Sequence, residues 1–468
     1  MDSLGALRAV EYGYLDEGRQ VYLDHTGAGL PARAQVRAHA ERIAAGCYGN
    51  PHSVSPASAA SGELVERARA RVLAHFAADP AEYAVVFTAN ATGACRLVGE
   101  AYPFGPGNRL VLTLDNHNSV NGLREYARGR GADTVYVPLE APGLGIDATA
   151  MDAVLTAGFP AGPPERQPAA GPGLLAFPAQ SNFSGVQHSL EWVARARAAG
   201  WDVLLDAAAY VPTNALDLSR VTPDFVAVSW YKVFGYPTGI GALIARRQAL
   251  ARLRRPWFSG GTIHVVSAQG QWHHMADGEA AFEDGTVNYL SIPDIEYGLD
   301  WIAGIGVVSI HRHVTALTGQ LLDGLRALRH TDGRPMVRIY GPRDTAGRGG
   351  TVALNLLGAD GRVIDERIVG RDSAARGISL RTGCFCNPGT GEVAFAIDRD
   401  VLGGAVRTTT GTIDDYLGRL GLPSGGAVRV SLGLSSNTAD VTAFLGFVAA
   451  TYRDRTPDPA GLSPRLVC

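Results

Sequence analysis

The stretch DFVAVSWYKVFGYPTGIGALIA (224–245) decides how the rest of the chain is read. An apolar, β-branched run (DFVAVS, 224–229) leads into a polar and aromatic segment, and a second apolar run follows (GIGALIA, 239–245). Short apolar runs set off by Gly and Pro read as strands buried on both faces, as in the sheet of an α/β protein. Between them lies Lys232, the only lysine in 468 residues, against 41 arginines (42 Lys+Arg less one). Arginine can replace lysine in solvation, helix-end charge and ion pairing, but it cannot lose a proton near neutral pH and attack a carbonyl carbon. A sole lysine in a strand-to-strand turn is either a chance survivor of an Arg-rich composition or a Schiff-base former.

Outward from this stretch, further strands are expected at YAVVFT (83–88), RLVLTL (109–114), DTVYVPL (133–139), GLLAFP (173–178) and DVLLD (202–206). Segments 61–76 and 190–200 have helical periodicity, the second stopped by Gly200. This alternation predicts an α/β fold with a mostly parallel, seven-stranded sheet flanked by helices. The Pro- and Gly-rich segment 157–173 reads as a surface insertion. From about residue 301 a helix at 308–328 and strands at 350–358 and 427–433 suggest a smaller α+β domain, 301–468. The organisation expected is a segment 1–35 packing with that small domain, a large domain 36–300, and the small domain.

With 46% hydrophobic residues and a net charge of −3, the chain has a large core to bury and no electrostatic footprint for nucleic acid or an anionic membrane. The N-terminus lacks a basic start followed by an apolar run, and no stretch approaches the roughly 18 apolar residues of a membrane span. Five cysteines (Cys47, Cys95, Cys384, Cys386, Cys468) show no framework spacing, so reduced thiols in a cytoplasm are expected.

Polar residues cluster where strands end, the rim at which open α/β sheets bind ligands. Asp206 closes one strand, and Ser229 and Lys232 follow another; NHNS (116–119), TANATGA (88–94) and QSN (180–182) follow three more. TANATGA is either an ordinary turn with Thr92 as N-cap or a cradle of backbone N–H groups and a hydroxyl for phosphate. Asp206 is either a solvated strand end or a carboxylate that keeps a heteroaromatic nitrogen protonated. His117 is a loop histidine or a ring stacked on a flat cofactor. A lysine for an aldehyde, an aspartate for a pyridinium, a phosphate cradle and a stacking ring form the inventory for pyridoxal 5′-phosphate.

The chain resembles the class V aminotransferase family of fold-type I pyridoxal-phosphate enzymes, and within it the amino-terminal domain of molybdenum cofactor sulfurases and related cysteine desulfurases. The resemblance rests on VYLDHTGAG (21–29), FTANATGA (87–94), DNHNSV (115–120), LLDAAAYVPTNALDLS (204–219), VSWYKVFGYPTGIGALIAR (228–246), RTGCFCNPG (381–389) and VRVSLG (428–433), in one order along nearly the whole chain. It implies that Lys232 carries the cofactor, Asp206 meets its pyridine nitrogen, His117 stacks on the ring, and Ala91, Thr92 and Ser229 bind its phosphate. It implies Asn182 and Arg381 near the cofactor hydroxyl and the substrate carboxylate, a task suited to a bidentate guanidinium. Thr262, in SGGTI (259–263), is implied to complete the phosphate site of a neighbouring copy in a homodimer. Cys386 aligns with the sulfur-accepting nucleophile.

On its own chemistry, the CFC pair with WHH (272–274) and HRH (311–313) forms no recognised zinc spacing. Cys384 and Cys386 are either inert small hydrophobes or reactive thiols in a mobile Gly/Pro/Asn loop, where Arg381 favours thiolate. The sequence departs from many desulfurases in having Ala209 where they have glutamine and Tyr231 where they have histidine. The expected function is a pyridoxal-phosphate cysteine desulfurase that takes sulfur from L-cysteine as a persulfide on Cys386 and releases alanine, with the eventual sulfur acceptor unspecified. C–S β-elimination, epimerisation and transamination stay open, as does a scaffold that has lost turnover.

Overall fold

A computed structural model describes residues 3–157, 172–397, 400, 402, 412–422 and 424–465. The expected insertion lies almost wholly outside the described residues, as does Cys468.

Seven strands form the central sheet: β1 (Tyr83–Thr88), β2 (Arg109–Thr113), β3 (Asp133–Val137), β4 (Gly173–Pro178), β5 (Asp202–Asp206), β6 (Phe225–Ser229) and β7 (Gly241–Arg246), in the order β1-β7-β6-β5-β4-β2-β3. Only β7 runs antiparallel to its neighbours. Burial on both faces explains the unbroken apolar runs. In β6, Val226 and Val228 enter one core cluster while Phe225 and Ala227 enter the other, and β7 divides Ala242 and Ile244 from Leu243 and Ala245 in the same way.

The expected strands appear within two residues at each end. The first helix is longer than periodicity suggested, Pro56–His75, because Ser55 caps it and Pro56 occupies its first turn. A second, antiparallel sheet is built from β8 (Val337–Tyr340), β9 (Thr351–Leu356), β10 (Arg381–Gly383) and β11 (Ala427–Ser431), in the order β8-β9-β11-β10. The N-terminal segment joins this unit: Val21–Tyr22 pairs with Ile378–Ser379, Asp24 bridges Ser431, and Arg8 binds Asp440.

The topology sets the site. Gly241 pairs with Thr88 on one side and Ser229 on the other, so the carboxyl ends of β1 and β6 open at one rim. A Cβ at Gly241 would stand 2.4 Å from the Asn90 carbonyl carbon. Glycine there lets the turn after β1 lie against the sheet.

Candidate active site

Along that rim a cavity of about 330 Å³ is lined by Ala91, Thr92, His117, Asn182, Asp206, Ser229 and Lys232. At its anion end, the helix Ala91–Ala101 is capped by Asn90, whose Oδ1 accepts from Gly93 N (2.9 Å). Thr92 is therefore not the cap. It sits in the first turn, and its hydroxyl bonds Ser119 Oγ (2.6 Å). Ala91 N donates to Ser229 Oγ (3.1 Å), which brings two hydroxyls and a helix N-terminus together.

His117 adjoins this cradle. Its Nδ1 accepts from Ser119 N (3.1 Å), so a neutral ring carries its proton on Nε2. Burial, then the charge of Lys232, lowers the imidazole to about 4, with Asp206 pulling the other way. The ring is a neutral, flat surface at physiological pH. Lys232 lies in the turn Trp230–Phe234, closed by Gly235 at φ +77. Burial pulls its ammonium below the usual lysine range, Arg429 and Arg381 add to the lowering, and Asp206 opposes it. A desolvated amine beside cations is the form that gives up a proton and reacts. Asp206 accepts from Ala208 N (3.0 Å) at the end of β5. Ala209 and Tyr231 also line this cavity.

A second cavity, about 430 Å³, shares His117, Asn182 and Lys232 with the first and adds Arg381, Cys386 and Arg429. Arg381 and Arg429 are directly opposed in neighbouring strands, a repulsive arrangement in isolation. Asp24 stands between them: its Oδ2 accepts from Arg381 Nε (3.0 Å) and Nη2 (2.8 Å), and its Oδ1 from Arg429 Nη2 (2.8 Å). Arg429 is buried and also donates to Asn182 O (3.0 Å), whereas the Arg381 side chain is half exposed and can turn to a ligand. Cys386 is exposed in the loop after β10.

The structure thus brings together Ala91, Thr92, His117, Asn182, Asp206, Ser229, Lys232, Arg381 and Cys386. Thr262 is apart from them. It is fully buried in its own turn, bonded to Ser259, and lines neither cavity. The expectation of reduced cysteines is corrected at one position: Cys47, Cys95 and Cys386 are free thiols, but Cys384 is disulfide-bonded. Of the two readings of the pair, a reactive thiol is thus left open for Cys386 and not for Cys384. Cys95 is fully buried and its thiol is pushed well up by desolvation, as for an inert small hydrophobe. Among the described residues no group of three or more His, Cys, Asp or Glu side chains could hold a metal ion.

Sequence reasoning assigned no role to Asp24, Ser119, Asn387 or Arg429, although each lies in a quoted motif. The one available signal was a charge inside the strand AVRVS, where Arg429 had to be buried and therefore paired.

These groups fit pyridoxal 5′-phosphate: hydroxyls and a helix N-terminus for the phosphate, Asp206 for the ring nitrogen, a neutral imidazole for the ring face and a desolvated lysine for the aldehyde. The family model for aminotransferase class-V matches residues 21–444, and the chain belongs to that family. It is a pyridoxal-phosphate-dependent enzyme. Among its relatives, the molybdenum cofactor sulfurase of Bos taurus is 35% identical over 470 residues, covering 96% of this chain and 52% of the relative. That of Solanum lycopersicum is 35% identical over 495 residues, covering 99% and 59%. The chain thus spans little more than half the length of these curated relatives. A cysteine desulfurase from Thermococcus onnurineus NA1 superposes with a TM-score of 0.77 at 23% identity, covering 96% of this chain and 98% of that one. The cystine C–S lyase C-DES superposes at 0.70 with 18% identity, covering 95% and 100%. At such identities the likeness is one of fold.

Proposed function

We propose that this chain is a cysteine desulfurase: L-cysteine and the Cys386 thiol give alanine and a Cys386 persulfide. The observation that carries this reading is the single cavity lined by Lys232, Arg381 and Cys386, which can hold an amino acid between a proton-transfer amine and a nucleophilic thiol. The names of the relatives, sulfurases and a desulfurase, point the same way.

Bound pyridoxal phosphate would supply an electron-withdrawing ring that stabilises negative charge developing at the substrate Cα. Ala91 N–H, Thr92 and Ser229 would hold its phosphate end, His117 would offer its neutral ring to the cofactor's face, Asn182 would meet its hydroxyl, and Asp206 would keep its nitrogen protonated. Arg381 turns from Asp24 to the substrate carboxylate. Lys232 takes the Cα proton and returns it to Cα in the product. Cys386, as thiolate, attacks the substrate sulfur; the carbon–sulfur bond breaks, its electron pair stays with Cβ, which takes up the proton that the Cys386 thiol gave up, and the sulfur with its hydrogen remains on Cys386 as the persulfide.

We read the working form as a homodimer in the cytoplasm. Thr262 lines neither cavity of its own copy, and Trp257, Phe258, Val265, Val266 and Trp272 around it are 40–48% exposed, an apolar surface that a second copy would cover. If Thr262 serves a neighbour's phosphate, dilution to monomer releases cofactor. Free thiols at Cys47, Cys95 and Cys386 support a reducing compartment, and the Cys384 bond weighs against it.

Incubation with L-cysteine and scoring of alanine, pyruvate and sulfide tests the reaction. Alanine supports the desulfurase. Pyruvate with sulfide would replace it by β-elimination, which needs no enzyme thiol.

A further inference from the structure

The Cys386 loop is folded against the preferences of its own residues. Phe385 and Cys386 have φ of +56 and +53, a region that side chains with a Cβ enter only where the surroundings compel it. Three hydrogen bonds impose it. Asn118 N donates to Cys386 O (2.7 Å), Asn387 N to Cys384 O (3.0 Å), and Asn182 Nδ2 to Phe385 O (2.8 Å). In the loop expected to be mobile, Cys386 is exposed but the backbone is tied, and Phe385 and Asn387 on either side of it are buried.

The third tie comes from inside the cofactor cavity, and Asn387 sets it. Asn387 is fully buried; its Nδ2 donates to Asn182 Oδ1 (2.9 Å) and to Asp115 O (2.7 Å). Backbone carbonyls only accept, so Asp115 O at one end and Phe385 O at the other fix the orientation of both amides. The Oδ1 of Asn387 faces away and caps the helix Pro388–Ala394, accepting from Thr390 N (3.3 Å) and Oγ1 (2.8 Å). Asn182 lines both cavities, and its amide keeps one proton that these bonds do not use.

We propose that Asn387 is a positioning residue that couples occupancy of the cofactor cavity to the placement of Cys386, acting through the Asn182 amide. The proposal rests on the reading that Asn182 faces the cofactor hydroxyl. A ring oxygen that accepts the unused Asn182 proton holds the amide from a third side and steadies the Phe385 carbonyl. Without the Asn387 donor the Asn182 amide is free to turn, and the thiol loop loses the tie that senses the cavity.

The test follows iodoacetamide alkylation of Cys386 by peptide mass spectrometry, with the cofactor absorbance recorded in parallel. In the native chain, pyridoxal 5′-phosphate is expected to slow alkylation about threefold to tenfold relative to stripped protein, the effect of one net hydrogen bond. Inorganic phosphate, which fills only the anion end, is expected to leave the rate unchanged. Asn387→Ser keeps a capping oxygen but is too short to reach Asn182. It is expected to alkylate faster and to lose the cofactor dependence while still binding cofactor. Thr390→Val weakens the cap and spares the Asn182 link, so it is expected to keep the native difference. If Asn387→Ser does not fold, amide hydrogen exchange over residues 383–390 of the native chain carries the test, with protection expected on cofactor binding. Cofactor bound by absorbance with no change in alkylation or exchange would overturn the coupling alone, as would Asn387→Ser retaining the native response. A chain that binds no pyridoxal phosphate would overturn the reading of the site, and the coupling with it.

Discussion

At the anion end of the site, Ala91 and Thr92 are delivered by the turn that follows β1 and Ser229 is the last residue of β6, each a local strand-to-helix signal. At the thiol end, Asp24, Arg381 and Arg429 meet across separations of 357 and 405 residues, and Asn387 reaches Asp115 across 272. The first region is assembled by secondary structure, with polar groups falling where the strands stop. The second is assembled by tertiary pairing, in which one aspartate makes two opposed arginines tolerable. Local substitutions should therefore act on chemistry at the rim, and on both chemistry and stability at the thiol end.

The largest effect is expected at Lys232. Lys232→Arg keeps the charge but removes the titratable amine, and turnover of cysteine should fall by at least about 10⁴-fold; borohydride reduction should no longer fix the cofactor to the chain. Asp206→Ala should lower turnover on the order of 10²-fold while the yellow cofactor stays bound, since it removes an electrostatic contribution and not the attachment. Near-native turnover in either variant would show that the rim was assigned wrongly.

The thiol end predicts a split between two arginines that share one carboxylate. Arg429→Met breaks a buried pair and should cost about 3–5 kcal/mol in urea unfolding, much of it recovered in the double variant with Asp24→Asn. Arg381→Met, at a half-exposed side chain, should cost no more than about 1 kcal/mol and instead raise KM for cysteine. Equal stability losses would erase the distinction between anchor and ligand.

A smaller effect concerns His25, buried beneath Gly433 at the same end and lowered to about 4, chiefly by burial. Its folded value lies below its unfolded one of about 6.5, so the unfolded chain takes up the proton first. Stability from the neutral ring is complete above pH 6.5 and is lost as pH falls towards 4. Unfolding midpoints across that window should drop, and His25→Asn should flatten the slope without abolishing it, because His75 and His117 are also lowered to about 4.

The same contrast explains what the sequence disclosed. Lys232, Asp206, Thr92 and Ser229 were legible because each closes or follows a strand that its apolar run and turn residues announce. Most of the seven strands were legible because both faces are buried and their apolar runs are unbroken; β3, at the sheet's edge and only partly buried, showed instead by its β-branched and aromatic residues. Asp24 and Arg429 were not, because a charge in a strand tells that it must be paired but not with what. Of the two readings that the sequence leaves for Thr92, ordinary cap or cradle hydroxyl, the first goes to Asn90, two residues earlier, and Thr92 lines the cavity.

The central claim is that Cys386 receives sulfur inside the cavity that Lys232 shares. The direct measurement is peptide mass spectrometry of the native chain after brief exposure to L-cysteine, with alanine quantified in the same sample. The account predicts one added sulfur atom on Cys386 with stoichiometric alanine, and neither in Cys386→Ala, which still binds the cofactor. Alanine formed at the native rate by Cys386→Ala, or sulfur found only on another cysteine, would contradict it.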